Sequence, residues 1–296
     1  MPTMTTDEVK NTDASVARFI PAEFLELLEK KDLALIQKGD FIEKEMALMF
    51  TDIRDFTGLS ESMSAGETFQ FLNAYLSRMN PSIENYGGFV DKFIGDEIMA
   101  LFSDAENALK AAIEMRIELR AYNSQRKQTG YRQIDTGMGL HFGKLMLGTV
   151  GSDKRLQMTV VGDTVNLASR IERLTKVFRT PFLLTDAVYK RLKNPESYLL
   201  RELDSVIVRG KNQPIVLYES FDFDPLPMQE KKSAYLGDYQ VALFQYKAGN
   251  FAEARALFAE CAAKCPEDNI PLIYLERCEY LLQNPPRRWT EISRIK

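Results

Sequence analysis

The run GFVDKFIGDEIMALFS, residues 88–103, constrains this chain more than any other stretch. Two apolar segments flank Gly95-Asp96, the pattern of a β-hairpin closed by a tight turn. EMALMFTDI, residues 45–53, reads as a buried strand: apolar, then bounded by turn residues. Ser64-Ala-Gly-Glu67 has the form of a capping box. It opens a helix with Phe69, Leu72, Tyr75, Leu76 and Met79 on one face, ending before Gly87-Gly88. A second long helix is predicted from about Asp104 to Lys127, closed by Gly130. TGMGLHFGKLMLGTVG, residues 136–151, reads as another strand pair, and DTVNLASRIERLTKV, residues 163–177, as a helix. PFLLT and YLLRELDSVIVRGKNQPIVLYESF supply the last strands. Hairpins interleaved with long helices predict an α+β fold: a mixed, mainly antiparallel sheet with helices on one side.

The flanks differ in character. Residues 1–17 are polar and predicted to be mobile. From Phe19 to Lys44 a helical spacing of Phe24, Leu25, Leu27 and Leu28 after Pro21 suggests a docking element or linker, so residues 1–44 form a flexible N-terminus with a helical linker. The main domain spans residues 45–222. FDPLPMQ reads as a second linker, and residues 229–296 are helical, similar to one tetratricopeptide-like pair followed by a further helix. One such unit buries its own face poorly, so it is expected to dock on the main domain or on a protein partner.

Composition removes several function classes. The chain has 296 residues, a net charge of −4 and a pI near 5.4, which argues against a broad nucleic-acid-binding surface. No apolar run approaches the ~18–20 residues that span a bilayer. The polar N-terminus is not a signal peptide, and Cys261, Cys265 and Cys278 form no CxxC, so a reducing, cytoplasmic setting in a bacterium is expected. With His141 the single histidine, multi-histidine metal sites and relays are excluded. Chemistry is left to carboxylates, lysines, arginines and the backbone.

Two carboxylates stand out. Asp52 ends an apolar strand and Asp96 lies in a hairpin turn. Aspartate is also an ordinary turn former. As a pair on adjacent strands they can converge on one or two hard cations, with Mg²⁺ the natural choice. Asn166 and Arg170, four apart, share a helix face. On their own they read equally as surface residues of an amphipathic helix. Lys92 reads as a solvated strand lysine, Thr159 as a β-former, and Lys211 as part of a structural Arg-Gly-Lys turn.

Five motifs in order give these residues a shared context: FTDIRDFTGLS (50–60), FVDKFIGDEIMALF (89–102), GLHFGKLMLGTVGS (139–152), TVVGDTVNLASRIE (159–172) and VRGKNQP (208–214). With them the chain resembles the class III nucleotidyl cyclases, specifically the bacterial adenylyl cyclase type, from roughly Glu45 to Glu219. The resemblance implies a ferredoxin-like catalytic domain that converts ATP to 3′,5′-cyclic AMP and pyrophosphate. It implies that Asp52 and Asp96, with Ile53, hold two Mg²⁺ or Mn²⁺ ions. Backbone N–H groups around Phe56 and Thr57 would cradle phosphates, and Lys211 would contact the β- and γ-phosphates. Lys92 and Thr159 match the positions that read the purine and favour ATP over GTP; threonine there marks a subtype that tends to respond to bicarbonate. Asn166 would orient the ribose and Arg170 would stabilise charge at the reacting phosphorus.

In the resemblance the two aspartates come from one protomer and the purine-reading pair, the asparagine and the arginine from the other. A homodimer with two composite sites is therefore expected. The chain departs from the commonest pattern at Asp55, where the family often has glycine; an acid there repels a triphosphate unless it points to solvent. Lys144 is a further candidate phosphate contact, and His141 is expected to pack or hydrogen-bond. Competing expectations are a cyclase for GTP or a pyrimidine triphosphate, and a degenerate domain that binds nucleotide and signals through its tail. A polymerase would share the two-metal logic but lacks a basic template channel.

Overall fold

The computed structural model describes residues 21–295. The expected mobile segment 1–17, and the first residues of the expected linker, lie outside the described residues. Within them, helix α1 (Ala22–Leu27) precedes strand β1 (Phe41–Ile53), which begins earlier than the apolar core of its sequence suggests. A short helix, α2 (Phe56–Glu61), then leads to α3 (Ala65–Glu84). Ser64 and Glu67 form the capping box, each side chain bonded to the other's backbone N–H. The hairpin is β2 (Gly88–Ile94) and β3 (Glu97–Phe102), turned at Gly95, whose φ of +66° suits a residue without a Cβ. Helix α4 (Ala105–Gln128) follows, N-capped by Asp104.

Residues 136–151 are not a strand pair. They belong to one long strand, β4 (Thr136–Ser152), which turns back only at β5 (Arg155–Val161). Two glycines within this strand mark close approaches of neighbouring backbone. A Cβ on Gly139 would lie 2.2 Å from the backbone nitrogen of Glu172, and one on Gly148 would lie 2.3 Å from the carbonyl of Asp40. Helix α5 (Asp163–Val177), β6 (Phe182–Thr185), α6 (Asp186–Tyr189), β7 (Leu200–Val208) and β8 (Ile215–Ser220) complete the main domain. Helices α7 (Leu226–Ala234), α8 (Leu236–Lys247), α9 (Phe251–Lys264) and α10 (Asn269–Gln283), then β9 (Ile292–Ile295), form the C-terminal part.

The strands form one sheet in the order β2-β3-β1-β4-β6-β8-β7-β9, with β5 paired to β4. The β4–β6 and β7–β9 pairs are parallel and the others antiparallel, the mixed and mainly antiparallel sheet expected from the sequence. Helices cover both faces rather than one. Along β1, Ala47, Met49 and Ile53 pack with Tyr75 and Met79 of α3 and Met115 of α4. The alternate residues Met46, Leu48 and Phe50 pack with Phe24 of α1 and Ala168 of α5. A strand apolar on both faces, as MALMF is, needs cover on both. Each such side chain contributes about 1.5–3 kcal/mol when fully buried.

The C-terminal helices share a core with the sheet. Leu167, Ile171 and Phe178 of the α5 region pack with Tyr239 of α8, Phe258 of α9 and Tyr274 of α10. Beneath them lies a buried ionic cluster: Arg201 of β7 pairs with Glu219 of β8 at 2.8 Å and with Asp268 at 2.6 Å, while Lys232 of α7 pairs with Glu219 at 3.2 Å. Burial alone would raise the Asp268 carboxyl, but the Arg201 guanidinium outweighs it and holds it at about 2. Cys261, Cys265 and Cys278 are buried free thiols. No helix among the described residues is long and apolar enough to cross a membrane.

Candidate active site

Strand pairing brings the two aspartates together. β1 and β3 run antiparallel with Thr51 opposite Ile98, so the end of β1 meets the β2–β3 turn. The backbone N–H of Ile53 donates to Asp96 Oδ2 at 3.2 Å. Ile53 itself is buried, which leaves only its backbone for the site. Burial, and after it the adjacent Asp52, pushes the Asp96 carboxyl up to about 6. Glu97 is raised to about 7, first by burial and then by Asp52 and Glu172. Burial, and after it Asp52, also raises Glu172 of α5, which is buried and lies 3.9 Å from Arg54. Lys176, one turn further along α5, stands 3.6 Å from Asp52. No group of three or more histidine, cysteine or acidic side chains among the described residues is arranged to hold a metal. The donors are the pair, with hard oxygens suited to a divalent cation.

Lys92 and Thr159 also meet. The Lys92 ammonium donates to the Thr159 hydroxyl and pairs with Asp91 at 2.8 Å. These residues sit on β2 and β5, strands not adjacent in the sheet. A third group forms where α5 faces the β7–β8 turn. Arg170 donates to the Arg209 carbonyl, and Lys211 pairs with Asp163 in the first turn of α5. Asn166 is exposed one turn before Arg170 on the same helix. Among the described residues, no hydrogen bond or ion pair joins either group to Asp52 or Asp96.

Asp55 occupies the left-handed region, with φ of +55°, at the N-cap of α2. That conformation explains why glycine suits the position and why aspartate, unlike most residues, is tolerated. Its carboxylate is exposed and accepts from Arg132 at 3.2 Å, and it lies over Gly58, where an added Cβ would meet Asp55 Oδ1 at 2.7 Å. Phe56 is half-buried against Phe71, and Thr57 is exposed, in the first turn of α2. Lys144 is exposed and paired with Glu43 at 3.1 Å, on β4 beside β1, rather than with any of the three groups. His141 is buried with Nδ1 2.8 Å from the Thr185 hydroxyl; burial and, after it, Lys211 lower its pKa to about 4.

Sequence reasoning missed Arg54, Glu97, Glu172 and Lys176. The signal was present for α5: Glu172 falls on the row of buried positions Thr164, Ala168, Ile171 and Thr175, where an acid needs a partner. A buried glutamate with a lysine four residues on marks a second polar stripe, distinct from Asn166 and Arg170.

The family described as "Adenylate and Guanylate cyclase catalytic domain" matches residues 42–219. The chain is 36% identical over 284 residues to "Adenylate cyclase, terminal-differentiation specific" of Dictyostelium discoideum, covering 93% of this chain and 13% of that protein. It is 43% identical over 220 residues to "Adenylate cyclase" of Anabaena cylindrica, covering 72% of this chain and 44% of the relative. The chain thus spans less than half the length of either relative. Among solved structures, the adenylyl cyclase CyaB from P. aeruginosa is similar with a TM-score of 0.57 and 30% identity, covering 62% of this chain and 96% of that one. The guanylyl cyclase Cya2 is similar with a TM-score of 0.52 and 27% identity, over 60% of this chain and 92% of that one.

Proposed function

The chain belongs to the family of adenylate and guanylate cyclase catalytic domains, and from that premise we propose that it converts ATP to 3′,5′-cyclic AMP and pyrophosphate. The adjacency of Asp52 and Asp96 at the end of β1 carries the reading. Burial and the neighbouring Asp52 raise the Asp96 carboxyl, and a cation between the two carboxylates would relieve that. Asp52 and Asp96, with the Ile53 backbone, hold two Mg²⁺ or Mn²⁺ ions. When bound, these supply Lewis-acid polarisation of the phosphate and lower the pKa of the ribose 3′-hydroxyl.

The chain's own groups do the rest. Lys92 donates to the purine, and the Thr159 hydroxyl that accepts from it orients the ammonium. A cation at this place favours the acceptor N1 of adenine over the protonated N1 of guanine. The relatives named adenylate cyclase support the same choice. Asn166 orients the ribose, Arg170 stabilises charge developing at phosphorus, and Lys211 contacts the outer phosphates. The backbone N–H groups of Phe56 and Thr57 face the triphosphate.

The site is composite. Among the described residues the Lys92–Thr159 pair and the Asn166–Arg170–Lys211 group have no hydrogen bond or ion pair to the aspartates, which supports a second copy, related by a two-fold axis, completing each site. Incubation with ATP, GTP, CTP and UTP in Mg²⁺ or Mn²⁺, with cyclic products separated by chromatography, tests the reading. Cyclic AMP that disappears in Asp52→Ala supports it. Cyclic GMP or a cyclic pyrimidine nucleotide instead overturns the assignment of Lys92 and Thr159. No cyclic product from any nucleotide overturns the activity.

A further inference from the structure

A cavity of about 570 Å³ lies beside the candidate site, between α2, α4 and the segment that leads to α7. Four arginines line it: Arg54, Arg116, Arg120 and Arg132. Two carboxylates face them, Asp135 at 2.7 Å from Arg116 and Asp55 at 3.2 Å from Arg132. Asp224, at the rim, is already paired with Lys232 at 2.7 Å. The lining therefore carries more positive charge than its own acids neutralise.

The donors are also under-used. A guanidinium offers five N–H groups in a rigid fork. Among the described residues, Arg120 donates only to the Phe223 carbonyl, at 2.8 Å, and Arg132 only to Asp55. Arg116 is largely buried and binds Asp135 and Thr136 through Nη1, yet its Nε is buried without a partner. The Nη2 of Arg116 has no hydrogen-bond partner among the described residues. The remaining wall is apolar, with Phe223 beneath the Arg116 guanidinium at 5.1 Å and Leu59, Leu119 and Ile134 around it. The volume falls within the range of small-molecule sites, about 300–1,000 Å³.

We propose that this cavity binds a small polyanion, a compound with two or more phosphate or carboxylate groups, through Arg116, Arg120 and Arg132. Guanidinium forks match both kinds of group in bidentate fashion. The occupant displaces Asp55 as the partner of Arg132 and ties the segment at Phe223 to the start of α2. The cavity shares Arg54 and Asp55 with the turn after Ile53 but contains neither Asp52 nor Asp96, and the proposal does not depend on the cyclase reading.

Titration calorimetry of the full chain in EDTA, with inorganic triphosphate in one arm and citrate in the other, tests this. Chelation removes divalent-dependent phosphate binding at Asp52 and Asp96. Saturable binding of one anion per chain is expected, at least tenfold weaker in Arg120→Gln/Arg132→Gln and unchanged in Asp52→Asn. Triphosphate alone would assign the phosphate class, and citrate alone the carboxylate class. Should the double variant misfold by its melting curve, Arg132→Gln alone serves, since that side chain is exposed and bound only to Asp55. No saturable heat with either probe, equal binding by the arginine variants, or binding lost in Asp52→Asn overturns the proposal.

Discussion

Lys176 of α5 stands 3.6 Å from Asp52 of β1, an ammonium set against a carboxylate near the end of that strand. Its charge competes with any cation that Asp52 takes up. The pair is partly exposed and is worth about 0–1 kcal/mol. Lys176→Gln is expected to tighten the apparent affinity for Mn²⁺ by up to about fivefold, the equivalent of ~1 kcal/mol. Metal titrations of turnover and of direct Mn²⁺ binding measure it. An unchanged or weaker affinity would remove Lys176 as a competitor.

Mixing two inactive chains tests the composite site. Asp96→Ala and Arg170→Ala lie on opposite halves, so a mixed dimer keeps one intact site. At equal amounts and random pairing, about a quarter of the wild-type rate is expected, since roughly half the dimers are mixed and each has one good site of two. Activity that stays at the level of the separate variants at every ratio would sink the two-chain arrangement.

His141 predicts a pH signature of stability. Burial lowers its pKa from 6.5 to about 4, so between those values the unfolded chain binds the proton and the folded chain does not. Stability is therefore complete above about pH 6.5 and falls as the pH drops toward 4, by on the order of 3 kcal/mol at most. Asp96 and Glu97, raised in the folded state, act in the opposite sense as the pH rises. The difference between wild type and His141→Asn isolates the histidine. Denaturant melts across pH 4–7 with parallel curves for the two proteins would refute it.

Arg201 links the main sheet to the C-terminal helices, and its loss leaves Glu219 and Asp268 buried with one less partner. Arg201→Met is expected to cost about 3–5 kcal/mol. Asp268 supplies a matching acid limit. Its carboxyl is held at about 2 against 3.8, so its contribution is present above pH 4 and is lost as the pH falls through about 2. Thermal melts, with limited proteolysis near residues 222–226, would report both; a variant as stable as the parent would count against the ionic cluster as a tie.

Asp55→Gly exchanges an exposed ion pair worth at most ~1 kcal/mol for relief of a left-handed backbone, so stability is expected to change by less than about 1 kcal/mol. Asp55→Val, a β-branched residue at φ of +55°, should destabilise by about 1–3 kcal/mol. Equal melting temperatures for the two variants would contradict the conformational argument.

The elements that local chemistry specifies were legible in the sequence. The Ser64–Glu67 box starts α3, Gly95 turns the hairpin, and Asp163–Val177 is the helix that its pattern predicts. What escaped depends on distant partners. Residues 136–151 read as a strand pair but form one strand, in which Gly139 and Gly148 admit α5 and the backbone at Asp40. Helices on the second face followed from the all-apolar run of β1, a cue weaker than alternation. Of the candidate site, the aspartate pair was readable from the motif. The Glu172–Lys176 stripe on α5 was visible as a pattern, but its link to Asp52 was not, because only the packing of α5 on β4 brings them together.

Helix α5 rises about 22 Å over its 15 residues. Asn166 and Arg170 ride near its start and Glu172 and Lys176 near its finish, while its flank is bolted to Tyr239 and Tyr274. It behaves as a single rod carrying tools for two different benches. A shift along its axis transmitted from the C-terminal helices moves both sets in one stroke. Neither bench can be retuned alone, and in the proposed two-copy arrangement a shift of one chain's α5 would reach both composite sites.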